Sequence, residues 1–226
     1  MTQEEEPPAF NLTETDRWVL SQTDEEFILH DWEDLKSIIA RNDLGILKRK
    51  PSDLVRYLAW TKETKARYGT ITNYICQRRL GWHLPDTDTI NTTNSTETTD
   101  SGPVFPFNNP IPFADPSDYK ILRNDWPYGF TPGIAHIVVW LRTPVAVKEE
   151  NGDVTEESRA LIEAFVERTF VERLQREGFG GSANVLWFKN WTALQSVRSL
   201  EHIHVLVRDV PEGILEEWTG EGKVKN

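Results

Sequence analysis

The chain has 226 residues, a formal net charge of −11 and one cysteine, Cys76. That length can bury a substantial core without covalent staples, and a single cysteine excludes an intramolecular disulfide and any multi-cysteine metal knuckle. The acidic balance argues against generic binding to nucleic acid or an anionic membrane, which needs a basic footprint. Cys76 reads as a small buried hydrophobe.

The first residues, Met-Thr-Gln-Glu-Glu-Glu-Pro-Pro, carry no apolar core of a secretory signal, and no later apolar run reaches the roughly 20 residues that span a bilayer. The expectation is a soluble, cytoplasmic protein with no membrane partner. The N-x-S/T triplets at Asn11, Asn91, Asn94 and Asn190 are then accidents of composition.

After a polar start, residues up to 84 read as a helical subdomain. Asp16–Leu20 predicts a short turn of helix. Asp31–Arg41 predicts a longer one with Trp32, Leu35, Ile38 and Ile39 on one face. Ser52 is positioned to cap a third helix whose Leu54, Val55, Leu58 and Ala59 recur at i, i+3 and i+4, with Gly69 to end it. Thr70 starts a fourth through Ile71, Tyr74, Ile75 and Leu80 to Gly81. Trp18, Trp32, Trp60 and Trp82 are read as packing residues, and His30 and His83 as ordinary surface or packing histidines.

Residues 85–117 break the pattern. Positions 86–101 are almost entirely Asp, Thr, Asn and Ser, and 103–116 contain five prolines. A mobile insertion over 86–102, followed by an extended arm pinned through Phe105, Phe107 and Phe113, is the expectation.

Strand signals dominate the stretch 118–226. Tyr119–Trp126 and Ile134–Arg142 read as two strands joined by a turn-rich connection, pairing as a wide hairpin. Thr155 caps the longest amphipathic pattern, with Ile162, Phe165, Val166, Phe170 and Leu174 on one face and Gly178 at its end. A strand at 184–190, a polar loop and a strand ending at Arg208 follow, and a short helix around Trp218 closes the tail. Strands interrupted by one long helix, without regular βαβ alternation, predict an α+β domain built on an antiparallel sheet with that helix on one face.

The candidate site lies at the last strand. His202 and His204 must project from one side of it while Ile203, Val205 and Val207 cover the other. Gln195 and Ser196 lead into the strand, so amide, hydroxyl and imidazole groups can converge on a small anionic ligand, with Arg198, Arg142 or Lys189 supplying positive charge. Trp126, Tyr128 and Trp191 are candidates to stack on a base or sugar. A neutral imidazole can attack a phosphorus atom when a second group fixes its tautomer. Two other readings stand beside this one. His136, His202 and His204 could form a three-histidine zinc centre if His136 shares their face. The histidine pair could also be plain packing residues of a structural or interaction protein.

The order strand, turn, strand, long helix, strand, Gln195-Ser196-Val197, then His202-x-His204 followed by Val-Leu-Val, resembles the histidine-triad (HIT-like) nucleotide-binding fold over about 118–210. Asn124-Asp-x-Pro127-Tyr128 resembles the stretch that opens the base-binding edge of that fold. The resemblance implies binding of a nucleotide, sugar nucleotide or sugar phosphate, with nucleotidyl hydrolase or transferase chemistry through a histidine nucleophile and no cofactor. It implies catalytic roles for His202 and His204. Taken with the charge and stacking candidates above, the ligand contacts expected are Gln195, Ser196, Arg198, Asn124, Trp126, Tyr128, Lys189 and Arg142. The chain departs from the triad in having Leu200 and Leu206 at the flanking alternate positions, so either His202 or His204 could be the nucleophile. The whole chain also resembles a fungal family of N-acetylglucosamine-induced proteins, through Asn124-Asp-Trp-Pro-Tyr-Gly129, His136-Ile-Val-Val-Trp140, Trp187-Phe-Lys-Asn-Trp191 and Glu201-His-Ile-His-Val205.

Overall fold

The structure, a computed structural model, describes residues 12–83, 105–191 and 194–222. The expected insertion at 86–102 lies outside the described residues. Helices α1 (Glu14–Leu20), α2 (Trp32–Ala40), α3 (Pro51–Tyr68) and α4 (Ile71–Tyr74, continued as a π-helical turn over Ile75–Leu80) precede the sheet. Strands β1 (Tyr119–Arg123) and β2 (Ile134–Leu141) come next, followed by α5 (Glu156–Val166). A π turn over Glu167–Val171 carries α5 into α6 (Glu172–Arg176), and β3 (Val185–Phe188), β4 (Glu201–Arg208) and α7 (Glu212–Thr219) complete the chain.

The four strands form one antiparallel sheet in the order β1-β2-β4-β3, so β2 and β4 are central. The protein is therefore α+β, and the β1–β2 hairpin pairs Tyr119 with Leu141 and Arg123 with Ile137. Between β2 and β4 the register sets Trp140 opposite His202, Val138 opposite His204 and His136 opposite Leu206. Alternation then divides the residues. Ile137, Val139, Leu141, Ile203, Val205 and Val207 face the long helix and pack on Ile162, Phe165, Phe170 and Leu174. The opposite face is covered by the N-terminal helices: Val138 and Trp140 join Ile75, Cys76, Leu80 and Trp82, while Phe188 and Leu206 join Trp32, Leu35 and Ile38. Burial pushes the Cys76 thiol up to about 11, which makes it inert as a nucleophile at neutral pH.

Local chemistry explains the helix ends. Asp31 caps α2 in a reciprocal box with Asp34, Thr70 caps α4 through Asn73 N–H, and Thr155 caps α5 through Ser158 N–H. Gly69 and Gly81 end their helices at φ of 78° and 69°. Helix α3 differs from expectation, because Pro51 occupies its first turn and Lys50 is its N-cap. Ser52 is not the cap: its backbone N–H donates to Asp24 Oδ1 at 2.8 Å and its hydroxyl to Asp24 Oδ2 at 2.6 Å. These bonds hold the Asp24 carboxyl down to about 2. The buried face of α3 is Leu54, Thr61 and Thr64, whereas Val55 and Ala59 face solvent. Trp18 is likewise exposed and is not a packing residue.

The arm after the break is fastened at two of its three phenylalanines. Phe105 and Phe113 are buried and Phe107 is exposed. Its principal polar anchor is Asp118, 2% exposed, whose carboxylate accepts the backbone N–H groups of Asn108 and Asn109 at 2.9 Å. Asp118→Ala leaves those donors unpaired and is expected to cost roughly 2–4 kcal/mol, with Asp118→Asn costing less. Urea unfolding at neutral pH checks this, and an unchanged midpoint would mean that the arm does not depend on Asp118.

Candidate functional site

The site forms where the histidine face of the sheet meets the N-terminal helices. The loop Asn124–Phe130 is clamped there from the other side. Gly129 N–H donates to Lys48 O at 2.8 Å, His30 N–H to Gly129 O at 3.1 Å, and Arg49 Nε to Trp126 O at 3.1 Å. Gly129 permits this approach, since a Cβ there would lie 2.4 Å from Phe27. The result is a cleft of about 710 Å³ including its open mouth. Leu122, Val138, Trp140, His202 and His204 form its floor, Asn124–Trp126 and Tyr128 one wall, and Arg49, Tyr57, Trp60, Ile75 and Arg79 another.

All three sheet histidines share the buried face, and each is at most 6% exposed. His136 and His204 are diagonal neighbours across the β2–β4 pair, which brings His136 Nε2 within 2.9 Å of His204 Nδ1. The other nitrogen of His204, Nε2, lies 3.2 Å from Asn190 Nδ2, and that amide also donates to the Tyr128 hydroxyl at 3.0 Å. Asn124 Oδ1 accepts Trp126 N–H at 2.9 Å, which turns the Asn124 amide nitrogen to 3.2 Å from the His136 ring nitrogens.

His202 stands apart from this chain. Its Nδ1 lies 2.7 Å from Leu200 O. A carbonyl oxygen only accepts, so Nδ1 carries the hydrogen and Nε2 of the neutral ring keeps its lone pair. Among the described residues Nε2 has no hydrogen-bond partner. The ring rests on Trp140, centroids 4.7 Å apart.

Burial disfavours the imidazolium form at all three positions. Desolvation pushes His136 down to about 3. It also lowers His202, partly opposed by the Leu200 carbonyl and Glu201, and it lowers His204 well below the usual range with help from His136 and His202.

The structure gathers part of the predicted set around the cleft. His202, His204, Asn124, Trp126, Tyr128 and Ser196 all line the cleft, and His136 joins them through His204. Five other candidates stand outside its lining. Gln195 donates to Asn190 O at 2.7 Å and braces that residue, Lys189 pairs with Glu201 at 3.0 Å, Arg198 is exposed, and Arg142 lies over Trp82 at 5.1 Å. Trp191 packs beside Phe188 and its indole N–H reaches Asn42 Oδ1 at 3.3 Å. The shared face satisfies the first condition of the three-histidine zinc reading, but the ligand geometry does not follow. His136 and His204 spend facing nitrogens on each other, and among the described residues no group of three His, Cys, Asp or Glu is arranged to hold a metal ion.

Reading the sequence missed Arg49, Tyr57 and Asn190. The basic run Lys48-Arg49-Lys50 just before Pro51 is the signal that could have pointed to the first. Arg49 stacks on Tyr57 at 4.0 Å and approaches Tyr128 at 5.7 Å, and no carboxylate pairs with it among the described residues. Two buried polar atoms on cleft residues, Trp126 Nε1 and Asn190 Oδ1, also have no protein partner among the described residues.

Fold and site together define an α+β protein with a cleft floored by neutral histidines. The chain belongs to the family described as "Protein of unknown function (DUF3605)", whose model matches residues 31–208. It is 32% identical over 196 residues to N-acetylglucosamine-induced protein 1 of Candida albicans, covering 84% of this chain and 73% of that one. An uncharacterized protein of Saccharomyces cerevisiae, YPL067C, is 30% identical over 176 residues, 78% of this chain and 77% of its own. Among solved structures, the crystal structure of HTC1 superposes with a TM-score of 0.55 at 29% identity, covering 81% of this chain and 86% of that one. The resemblance to the fungal N-acetylglucosamine-induced family is thus upheld by a named relative. Among the described residues no helix is long and apolar enough to cross a membrane.

Lowered histidine values have a definite consequence for stability. Above about pH 6.5 the histidines are neutral both folded and unfolded, and they contribute no pH dependence. As pH falls below that value the unfolded chain takes up protons that the folded core refuses, so stability drops by up to roughly 1.4 kcal/mol per pH unit for each such group, down towards the folded value of about 3 for His136. Melting temperature measured from pH 7.5 to 4.5 should fall progressively below 6.5, and His136→Gln should flatten the slope.

Proposed function

We propose that the cleft binds a small phosphorylated ligand, a nucleotide, sugar nucleotide or sugar phosphate, and that His202 is its reactive group. The observation that carries this reading is the state of His202: a neutral imidazole, its Nδ1–H committed to Leu200 O, with the Nε2 lone pair uncommitted beside a cleft. Such a nitrogen can attack phosphorus, forming an N–P bond as the leaving-group oxygen departs, and water then cleaves the N–P bond and restores the ring. His204 has both nitrogens engaged, by His136 and Asn190, which favours His202 over His204 as the nucleophile.

Several features support the nucleotide-binding side of the reading. Tyr57, Trp60, Trp126 and Tyr128 offer aromatic faces to a base or a sugar ring. Ser196, exposed on the lining, can donate to a phosphate oxygen. The β1–β2 hairpin, the long helix on the far face and the His-x-His pair on a central strand support a HIT-like fold relationship, which we adopt as part of the proposal. A relative named for induction by N-acetylglucosamine makes derivatives of that sugar the first compounds to test.

A thermal-shift screen of nucleotides, sugar nucleotides and sugar phosphates is expected to find a stabilising compound, because a ligand at 100 times its dissociation constant adds about 2.7 kcal/mol. His204→Ala and Ser196→Ala should weaken that shift. For a nucleotide hit, label from the α-³²P compound should be retained on acid-free gels by the wild type and lost in His202→Ala. No stabilising phosphorylated compound, or equal binding by the histidine variants, would overturn the assignment; binding without label would leave a binding module in place of an enzyme.

A further inference from the structure

Resting on the phosphorylated-ligand reading above, we propose that Arg49 is the anion anchor of the cleft and that the ligand presents a single phosphate to it, not a polyphosphate. The argument is a charge account of the cleft lining. Its charged residues are Arg49, Arg79, Arg123 and Asp125. Arg79 is already neutralised, by Asp125 at 2.8 Å and by Glu221. Arg123 pairs with Glu212, while its backbone N–H donates to Glu221 Oε2 at 2.9 Å. Lys189, the nearest lysine to act on the histidines, is spent on Glu201 at 3.0 Å. The three histidines add no charge, since burial keeps them neutral.

Arg49 alone is left with charge to offer. One of its nitrogens, Nε, donates to Trp126 O at 3.1 Å, and its plane stacks on Tyr57 at 4.0 Å. The side chain is thereby fixed while the two terminal nitrogens have no partner among the described residues, which is the state of a fork held ready for two oxygens of one group. The neighbouring unpartnered atoms fit the neutral part of the same ligand. Trp126 Nε1 is a donor and Asn190 Oδ1 an acceptor, and both belong to residues on the lining. A second phosphate would meet Arg79 and Arg123 only after their carboxylates were displaced.

The test is calorimetric titration of two matched series: adenosine, AMP and ADP; and N-acetylglucosamine, its 6-phosphate and its uridine diphosphate conjugate. For at least one series the monophosphate should bind, the phosphate-free compound should bind at least tenfold more weakly, and the diphosphate should gain less than about threefold. Arg49→Gln should weaken the monophosphate roughly 10- to 100-fold and leave the phosphate-free compound unchanged. Arg49→Lys, which keeps the charge and loses the fork, should fall between, and unchanged ligand-free melting curves would exclude a merely structural effect. Equal monophosphate affinity in Arg49→Gln, or a diphosphate preference of tenfold or more, overturns this inference while the phosphorylated-ligand reading stands. Absence of binding by all six compounds overturns both.

Discussion

Strand β4 is buried on both faces, and that constraint organises the molecule. A strand so placed needs a partner layer on each side. The long α5–α6 helix covers Ile203, Val205 and Val207, α2 covers Leu206, and His202 and His204 line the cleft between the sheet and the N-terminal segments. An antiparallel sheet of four strands could have left its second face to water, and its alternating residues would then have been polar. Here the second face is partly polar yet buried, so its polar atoms favour partners within the protein. The hydrogen bonds His136–His204–Asn190–Tyr128 and His202–Leu200 supply most of these partners, while His202 Nε2 and Asn190 Oδ1 have none among the described residues.

The same constraint explains why the N-terminal half is more than a cover. Helices laid on a sheet leave a gap where their axes diverge from it, and the gap here is lined from both layers. Tyr57 and Trp60 come from α3, Ile75 and Arg79 from the end of α4, and Arg49 from the segment before α3. Aromatic edges hold this wall together: Trp60 meets Trp126 at 5.3 Å and Tyr74 at 5.3 Å, and Tyr57 meets Trp126 at 5.6 Å. The C-terminal end closes the rim, since Glu221 binds Arg79 and Arg123 together.

How much of this could be read from the chain follows from the range of each interaction. Period-two alternation is a property of the strand itself, so the shared face of His202 and His204 and the opposite face of Val205 and Val207 were legible. The caps at Thr70 and Thr155 were legible too, because cap and partner lie within three residues. Ser52 misled for the opposite reason. Its partner, Asp24, is 28 residues away, and a cap made by a distant carboxylate leaves no local pattern. Val55 and Ala59 fit an apolar stripe by spacing, but they lie on the exposed side of α3, whereas Leu54, Thr61 and Thr64 are buried. Arg142, Lys189 and Arg198 were grouped by charge alone, and charge does not say which neighbour will claim it. Arg49 stands in a visible basic run, but nothing local reports that Trp126 O and Tyr57 will orient it into a cleft.

Net charge and local charge pull in opposite directions in this protein, and the distance scale decides between them. The formal charge of −11 produces a field that repels anions from the surface as a whole. Physiological salt screens that field over about 8 Å, so it governs approach but not contact inside a cleft. Within the cleft the balance is set by neighbours a few ångströms apart, where Arg79 and Arg123 are matched by Asp125, Glu212 and Glu221 and Arg49 is not. The neutral histidines sharpen this difference. Protonated, they would make the floor a general anion trap; kept neutral by burial, they leave Arg49 as the cleft's unpaired cation, and in the proposed function it is this guanidinium that attracts the ligand and the His202 lone pair that meets it. In the proposed role, a single cation fixed by a carbonyl and an aromatic ring would discriminate by geometry as well as by sign, because only a group that fits its free fork would recover what it loses on leaving water.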